Sequence, residues 1–224
     1  MDQYKISISL DDATLHALDE GGWQLQAFKG VKGAGAGKPL LWYALSEFSS
    51  KVELKWGEQF GGYVANQKLL AGATVDISSY RTMDPGQRMS LNPDGTTSIS
   101  TVGGKKDAFT FYNAKKEEWT CGISQSVNGS NPSPLCAFHL YGLTFDFIEP
   151  YEKIVLVFAS TQVDTGTVVE EALAASVEIL LSPEQPNIGL GFNINQSWDT
   201  GGSQYIKVNP EPIALAPVLI VPRF

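Results

Sequence analysis

Histidine and cysteine are almost missing from this chain, with two of each in 224 residues. Metal centres draw on such side chains at close spacing, and His16 and His139 stand in unlike contexts, so neither a metal nor another cofactor is expected. Cys121 and Cys136 are too few for a disulfide framework and leave one bridge or two free thiols. Long apolar runs are missing too, none approaching the ~20 residues of a bilayer span. The opening Met1-Asp2-Gln3-Tyr4-Lys5 lacks the basic and apolar regions of a secretory signal. Cytoplasmic synthesis is the default, although an exported mature form with an added Met would read the same. Cations are short as well, 16 Lys and Arg against 24 Asp and Glu for a net charge of −8. Nucleic-acid binding needs clustered Lys and Arg and is not expected.

What is present is an internal near-repeat. Lys51-Val52-Glu53-Leu54 is answered by Lys153-Ile154-Val155-Leu156, and Ala73-Thr74-Val75-Asp76-Ile77 by Ala175-Ser176-Val177-Glu178-Ile179, both at an offset of 102 residues. Two matches at one offset suggest a duplicated unit of about one hundred residues, a common domain size.

Tyr4 to Leu10 alternates, Ile6, Ile8 and Leu10 on one face and Lys5, Ser7 and Ser9 on the other, as a half-buried strand does. Asp11 or Asp12 can cap a short helix carrying Leu15 and Leu18, and Gly21-Gly22 ends it. A strand at Trp23 to Phe28 leads to the glycine-rich stretch Gly30 to Lys38. Its Gly37-Lys38 lacks the other residues of a phosphate-binding loop, so the stretch reads as a mobile hairpin connection. Short strands follow at Leu40 to Phe48, Val52 to Trp56, Gly62 to Ala65, Ala73 to Ser78 and Arg88 to Leu91, with Trp119 to Gln125 opening the second copy. Glu170 to Ala175 favours helix by propensity, but its counterpart leads into a β-branched segment, so it reads as turn and strand.

The expectation is an all-β fold: an antiparallel β-sandwich, or two packed sandwiches, built from the duplication, with one short N-terminal helix. Residues 1–103 form the first β repeat, 104–210 the second, and 211–224 an apolar Pro-rich tail packed on the second repeat, in one compact unit. One further expectation comes from the copies' differences. Val52-Glu53-Leu54-Lys55-Trp56 alternates apolar and charged residues, whereas Ile154-Val155-Leu156-Val157-Phe158 is apolar on both faces. Val155 and Val157 therefore need a cover: residues 213–221, the other copy, or a partner subunit.

Chemistry is sparse. If the protein is an enzyme, it is a cofactor-free one acting on a small molecule between the repeats, with Cys121, His139 and Asp146 as its polar groups. Cys136 and His139 are three apart on a strand and point to opposite faces. Asp146 and Glu149 read as a solvated strand end before Pro150. The aromatic hint is Trp198, set among Asn195, Gln196 and Asp199 in a polar connection, where it suits stacking on a sugar or insertion at a membrane surface. The leading reading is a non-enzymatic binding protein, lectin-like or membrane-active and toxin-like, that recognises a carbohydrate or lipid surface through end loops using Trp198, Asp199, Asn195 and Gln196. A protein–protein interaction module is the third reading, with a homo-oligomer through the second repeat or tail as one form of it.

Overall fold

The computed structural model describes residues 3–222, so Met1, Asp2 and the tail's last two residues, Arg223 and Phe224, lie outside the described residues. Strands make up 53% of the chain and helix 6%, which makes the fold all-β. Alternation does what it should in the strand Gln3–Leu10, where Tyr4, Ile6, Ile8 and Leu10 turn inward. This strand pairs antiparallel with Lys51–Gly57 and parallel with Asn187–Asn193. In Lys51–Gly57 the inward Val52, Leu54 and Trp56 alternate with Lys51, Glu53 and Lys55, whose ammonium groups lie 2.8 and 2.6 Å from the Glu53 carboxylate. The helix Asp12–Glu20 begins where the Asp11 carboxylate accepts the Thr14 N–H at 2.7 Å and ends at Gly21, before Gly22 at φ +61°.

The second sheet is built on the 15-residue strand Phe145–Ala159. Its first half pairs with Phe109–Asn113 and its second with Ser176–Leu180, while Gln24–Gly33 runs along its other edge. Pro150 does not end the strand. It marks a register shift between Pro150 and Ile154 that leaves four residues opposite two of the neighbour, as a bulge does where proline removes a ladder donor. A third sheet centres on Trp119–Gln125, between Phe60–Ala65 and Cys136–Leu140. The inward faces of all three sheets share one apolar core.

Several expectations change. The sheets are mixed: Gln3–Leu10 with Asn187–Asn193, Arg88–Leu91 with Phe109–Asn113, and Gln24–Gly33 with Ile220–Pro222 are parallel pairs. The two halves also interleave, since strands from residues 1–103 pair with strands from 104–222 in each of these sheets. Of the matched segments, Ser176–Leu180 is a strand, but 73–78 is irregular apart from a bridge from Thr74 to Thr167. The equivalence required by the duplication is missing there. The glycine-rich stretch is ordered: strands extend to Gly33 and resume at Gly37–Pro39. A Cβ on Gly33 or Gly37 would come within 2.5 or 2.6 Å of the Phe138 ring, so these glycines make room for that ring. Glu171–Ala172 is a short strand and not helix.

The expected cover over the valines is present. Val155 and Val157 are buried with Phe28, Leu41 and Ala172 beneath Leu215 and Leu219 of the tail. The tail lies on both halves, however, for its strand Ile220–Pro222 pairs with Val31–Gly33 and its helix Ala216–Leu219 touches both Gln24–Gly33 and Phe145–Ala159.

Candidate functional site: an aromatic tip beside unpaired cations

The sequence-derived candidates come apart. Trp198 lies in the strand Ser197–Asp199, is 7% exposed, packs on Phe192 and Phe158 at ring distances of 4.8 and 5.4 Å, and donates Nε1–H to the Ala175 carbonyl at 3.0 Å. It is a core residue, and its ring is no loop-tip platform. Asn195, Gln196 and Asp199 are exposed, and Gln196 and Asp199 border an open depression of about 560 Å³ with the edge of Trp198.

Cys121, His139 and Asp146 do not form a catalytic set. Cys121 and Cys136 are free, completely buried thiols. Burial pushes the Cys136 thiol up to about 12 and Cys121 well above its ordinary value, with the Asp146 charge adding to both. A nucleophilic cysteine must reach the thiolate, which this interior opposes. His139 projects from the other face of the Cys136–Leu140 strand, where its Nδ1 meets the Glu118 carboxylate and its ring lies 6.0 Å from Tyr141. Asp146 is 7% exposed and faces inward, and burial lifts its carboxyl to about 6 against a 2.7 Å hydrogen bond from the Phe147 N–H.

The unusual surface lies at the adjoining turns 114–118 and 141–144. Asn113, fully buried, ties them together. Its side-chain amide donates to the Glu117 and Leu140 carbonyls at 2.8 and 3.1 Å, and its Oδ1 accepts the Lys115 N–H at 2.9 Å. The Leu143 N–H donates to the Lys115 carbonyl at 2.9 Å, and the Thr144 hydroxyl to the Tyr141 carbonyl at 2.8 Å. Gly142 lets the second turn lie against the Lys116 carbonyl, where a Cβ would collide. On this rigid base Tyr141, Leu143 and Phe145 are 59%, 59% and 50% exposed. Leu143 adopts φ +59°, a conformation that costs a residue with a Cβ roughly 1–2 kcal/mol.

Cations that make no close ion pair gather nearby, among them Lys115, whose charge helps to lower the Asp94 pKa from a longer distance. Segment 81–118 carries six basic and five acidic side chains in a chain of net charge −8. Among the described residues Lys5, Lys29, Lys32, Lys38, Lys51, Lys55, Lys153 and Lys207 are ion-paired, whereas Arg88, Lys105, Lys106, Lys115 and Lys116 are not. Three of the latter rest on aromatic rings: Arg88 over Tyr112 at 6.0 Å, Lys105 over Phe147 at 5.2 Å and Lys115 over Trp119 at 5.7 Å. Tyr112 in turn stacks on Phe145 at 4.5 Å, which joins the tip to the sheet's outer face. The Arg88 Nε is shielded from solvent and has no hydrogen-bond partner.

No protein-family model, curated protein or solved structure matches this chain. The arrangement is therefore read from its own chemistry. Sequence reasoning passed over this tip, although Tyr141-Gly142-Leu143-Thr144-Phe145 sets three large apolar residues around a glycine turn. Trp198 seemed the better candidate because its neighbours are more polar.

Proposed function

We propose that this chain is a non-enzymatic binding protein that docks on a lipid bilayer surface, with the 141–145 tip entering the interface and the neighbouring cations meeting headgroup phosphates. The observation that supports it is Leu143, which is both exposed and held in an unfavourable backbone conformation. Strain of this kind persists where the surroundings impose it and clusters at functional positions. Aromatic and aliphatic side chains on a protrusion suit the membrane interface, where rings sit at headgroup level.

The magnitudes point to reversible docking. Three half-exposed large apolar side chains gain about 1 kcal/mol each on losing their remaining exposure, and each nearby Lys or Arg adds about 1 kcal/mol against an anionic leaflet. The sum is comparable to a single acyl anchor, which binds only marginally. The nearby cations favour anionic headgroups at close range, and salt screens that attraction, so binding should weaken as salt rises.

Cosedimentation with phosphatidylcholine vesicles, with and without phosphatidylserine, tests this. Wild type should pellet with the anionic vesicles and Leu143→Asp should not. Leu143→Gly should keep or slightly raise stability, because glycine accepts this φ freely, and yet bind less. Failure of the wild type to associate with either vesicle would refute the reading.

A further inference from the structure

A second site lies farther along the outer face of the large sheet, in a shallow pocket of about 200 Å³ lined by Tyr151, Lys153, Glu178, Leu180, Tyr205 and Lys207, with Gln204 at its border. Register explains the grouping. Lys153 pairs with Leu180 and Glu178 with Lys207 across three neighbouring strands, so these side chains share one face. The tail that buries Val155 and Val157 leaves Lys153 and its neighbours uncovered.

The floor is an ionic network. Glu178, 8% exposed, accepts from Lys153 at 2.7 Å, from Lys207 at 2.8 Å and from the Asn209 amide at 3.1 Å. Burial alone would raise its pKa, but these hydrogen bonds outweigh it and hold the carboxyl at about 2. Its acceptor capacity is largely taken up. Each ammonium has three N–H donors, and only one from each lysine is committed to Glu178. The site is thus rich in donors, poor in acceptors, and one positive charge in excess. Around it stand apolar surfaces, Tyr205 at 38% and Leu180 at 41% exposure, with Tyr151 held under the Lys32 ammonium at 5.3 Å.

We infer that this pocket binds a uronic-acid sugar unit, its carboxylate meeting the Lys153 and Lys207 ammonium groups and its ring lying against Tyr205. A carboxylate takes up the spare donors through charge-assisted hydrogen bonds. A pyranose offers an apolar face to a tyrosine and hydroxyls to the Tyr and Gln204 polar groups. The volume is below the usual range for drug-sized ligands, which fits one sugar ring and not a long chain. A neutral hexose leaves the excess positive charge unmatched, and a bare anion makes no use of the tyrosines. The site shares no residue with the 141–145 tip and does not depend on the lipid reading.

Titration calorimetry with D-glucuronate, D-galacturonate, D-glucose and acetate decides the matter. At least one uronate should bind at least tenfold more tightly than glucose or acetate. Lys207→Met and Tyr205→Ala, both changes at partly or largely exposed side chains, should each weaken it about tenfold, whereas Leu143→Asp should leave it unchanged. The inference is overturned if neither uronate binds, if glucose or acetate binds as well as the uronate, or if the two pocket variants bind like wild type.

Discussion

Lys29 offers the sharpest test of how this fold is held together. Its side chain is completely buried, with the ammonium 2.8 Å from Glu152, 2.7 Å from the Gln125 amide oxygen, and 5.5, 5.1 and 5.7 Å from the rings of Trp42, Trp56 and Phe60. The surroundings are themselves fixed: Trp42 Nε1–H donates to the Gln125 carbonyl at 2.9 Å, and Trp56 Nε1–H to Glu152 at 2.9 Å. Burial pulls the Lys29 pKa below its ordinary value and the Glu152 charge pulls it back. Removing the counter-ion from a buried pair typically costs about 3–5 kcal/mol, because the remaining charge is uncompensated. Glu152→Gln keeps the shape and removes the charge, so it should lose that much, a fall in Tm of roughly 6–20 °C for a chain of this size. Lys29→Met removes the charge itself. It leaves the Gln125 oxygen unpaired, at about 1–3 kcal/mol, while Glu152 keeps its Trp56 donor and its 16% exposure to water. The methionine variant should therefore be the milder of the two, and the double variant should resemble it. Urea unfolding at constant m-value measures all three. If Glu152→Gln lies within 0.5 kcal/mol of wild type, or if Lys29→Met is the more damaging change, the charge pair does not organise this part of the core.

Two further outcomes follow from burial. Asp146 has a folded pKa of about 6, above its unfolded value of roughly 3.9. The stability it contributes is fully present below the unfolded value and lost as pH rises through about 6, so its charge costs about 2–3 kcal/mol at pH 8. Asp146→Asn should match wild type near pH 4 and exceed it by about that amount at pH 8, and an equal difference at both pH values in chemical denaturation would contradict this. Trp198→Ala should destabilise by about 3–5 kcal/mol, the scale for a buried aromatic; a variant with wild-type stability would return Trp198 to the surface.

Local periodicity carried much of the fold. The alternation of Ile6, Ile8 and Leu10, and of Val52, Leu54 and Trp56, depends only on neighbouring residues and appears unchanged in the burial pattern. The cover over Val155 and Val157 was legible for the same reason, since two valines replacing charges on one strand require apolar company wherever that strand sits. Pairing was not legible. Gln3–Leu10 finds its parallel neighbour in Asn187–Asn193 at the far end of the chain, and nothing in either segment or in the turn chemistry names that partner. Trp198 was misjudged because its polar neighbours describe the turn, while Phe158 and Phe192, which hold its ring, are set by sheet register. The 141–145 tip was overlooked because Asn113, the residue that makes it rigid, lies on another strand.

Lys29 shows the limit most clearly. In Phe28-Lys29-Gly30 a lysine on a strand reads as a solvated position, and its counter-ion stands 123 residues away. What brings them together is strand register: Val31 pairs with Pro150 on antiparallel strands, so Lys29 and Glu152 each lie two positions further along, at the irregularity in the ladder. Proline has no N–H to give the ladder, and across this break the four steps from Pro150 to Ile154 face only the two steps from Val31 to Lys29 on the neighbouring strand. The surplus residues are accommodated locally, and Glu152, within that break, turns its carboxylate toward the Lys29 ammonium and the Trp56 indole. Pro150 was read as the end of a strand. It lies instead within a strand that continues to Ala159, and just beyond it, where the ladder is irregular, a single carboxylate meets a buried cation.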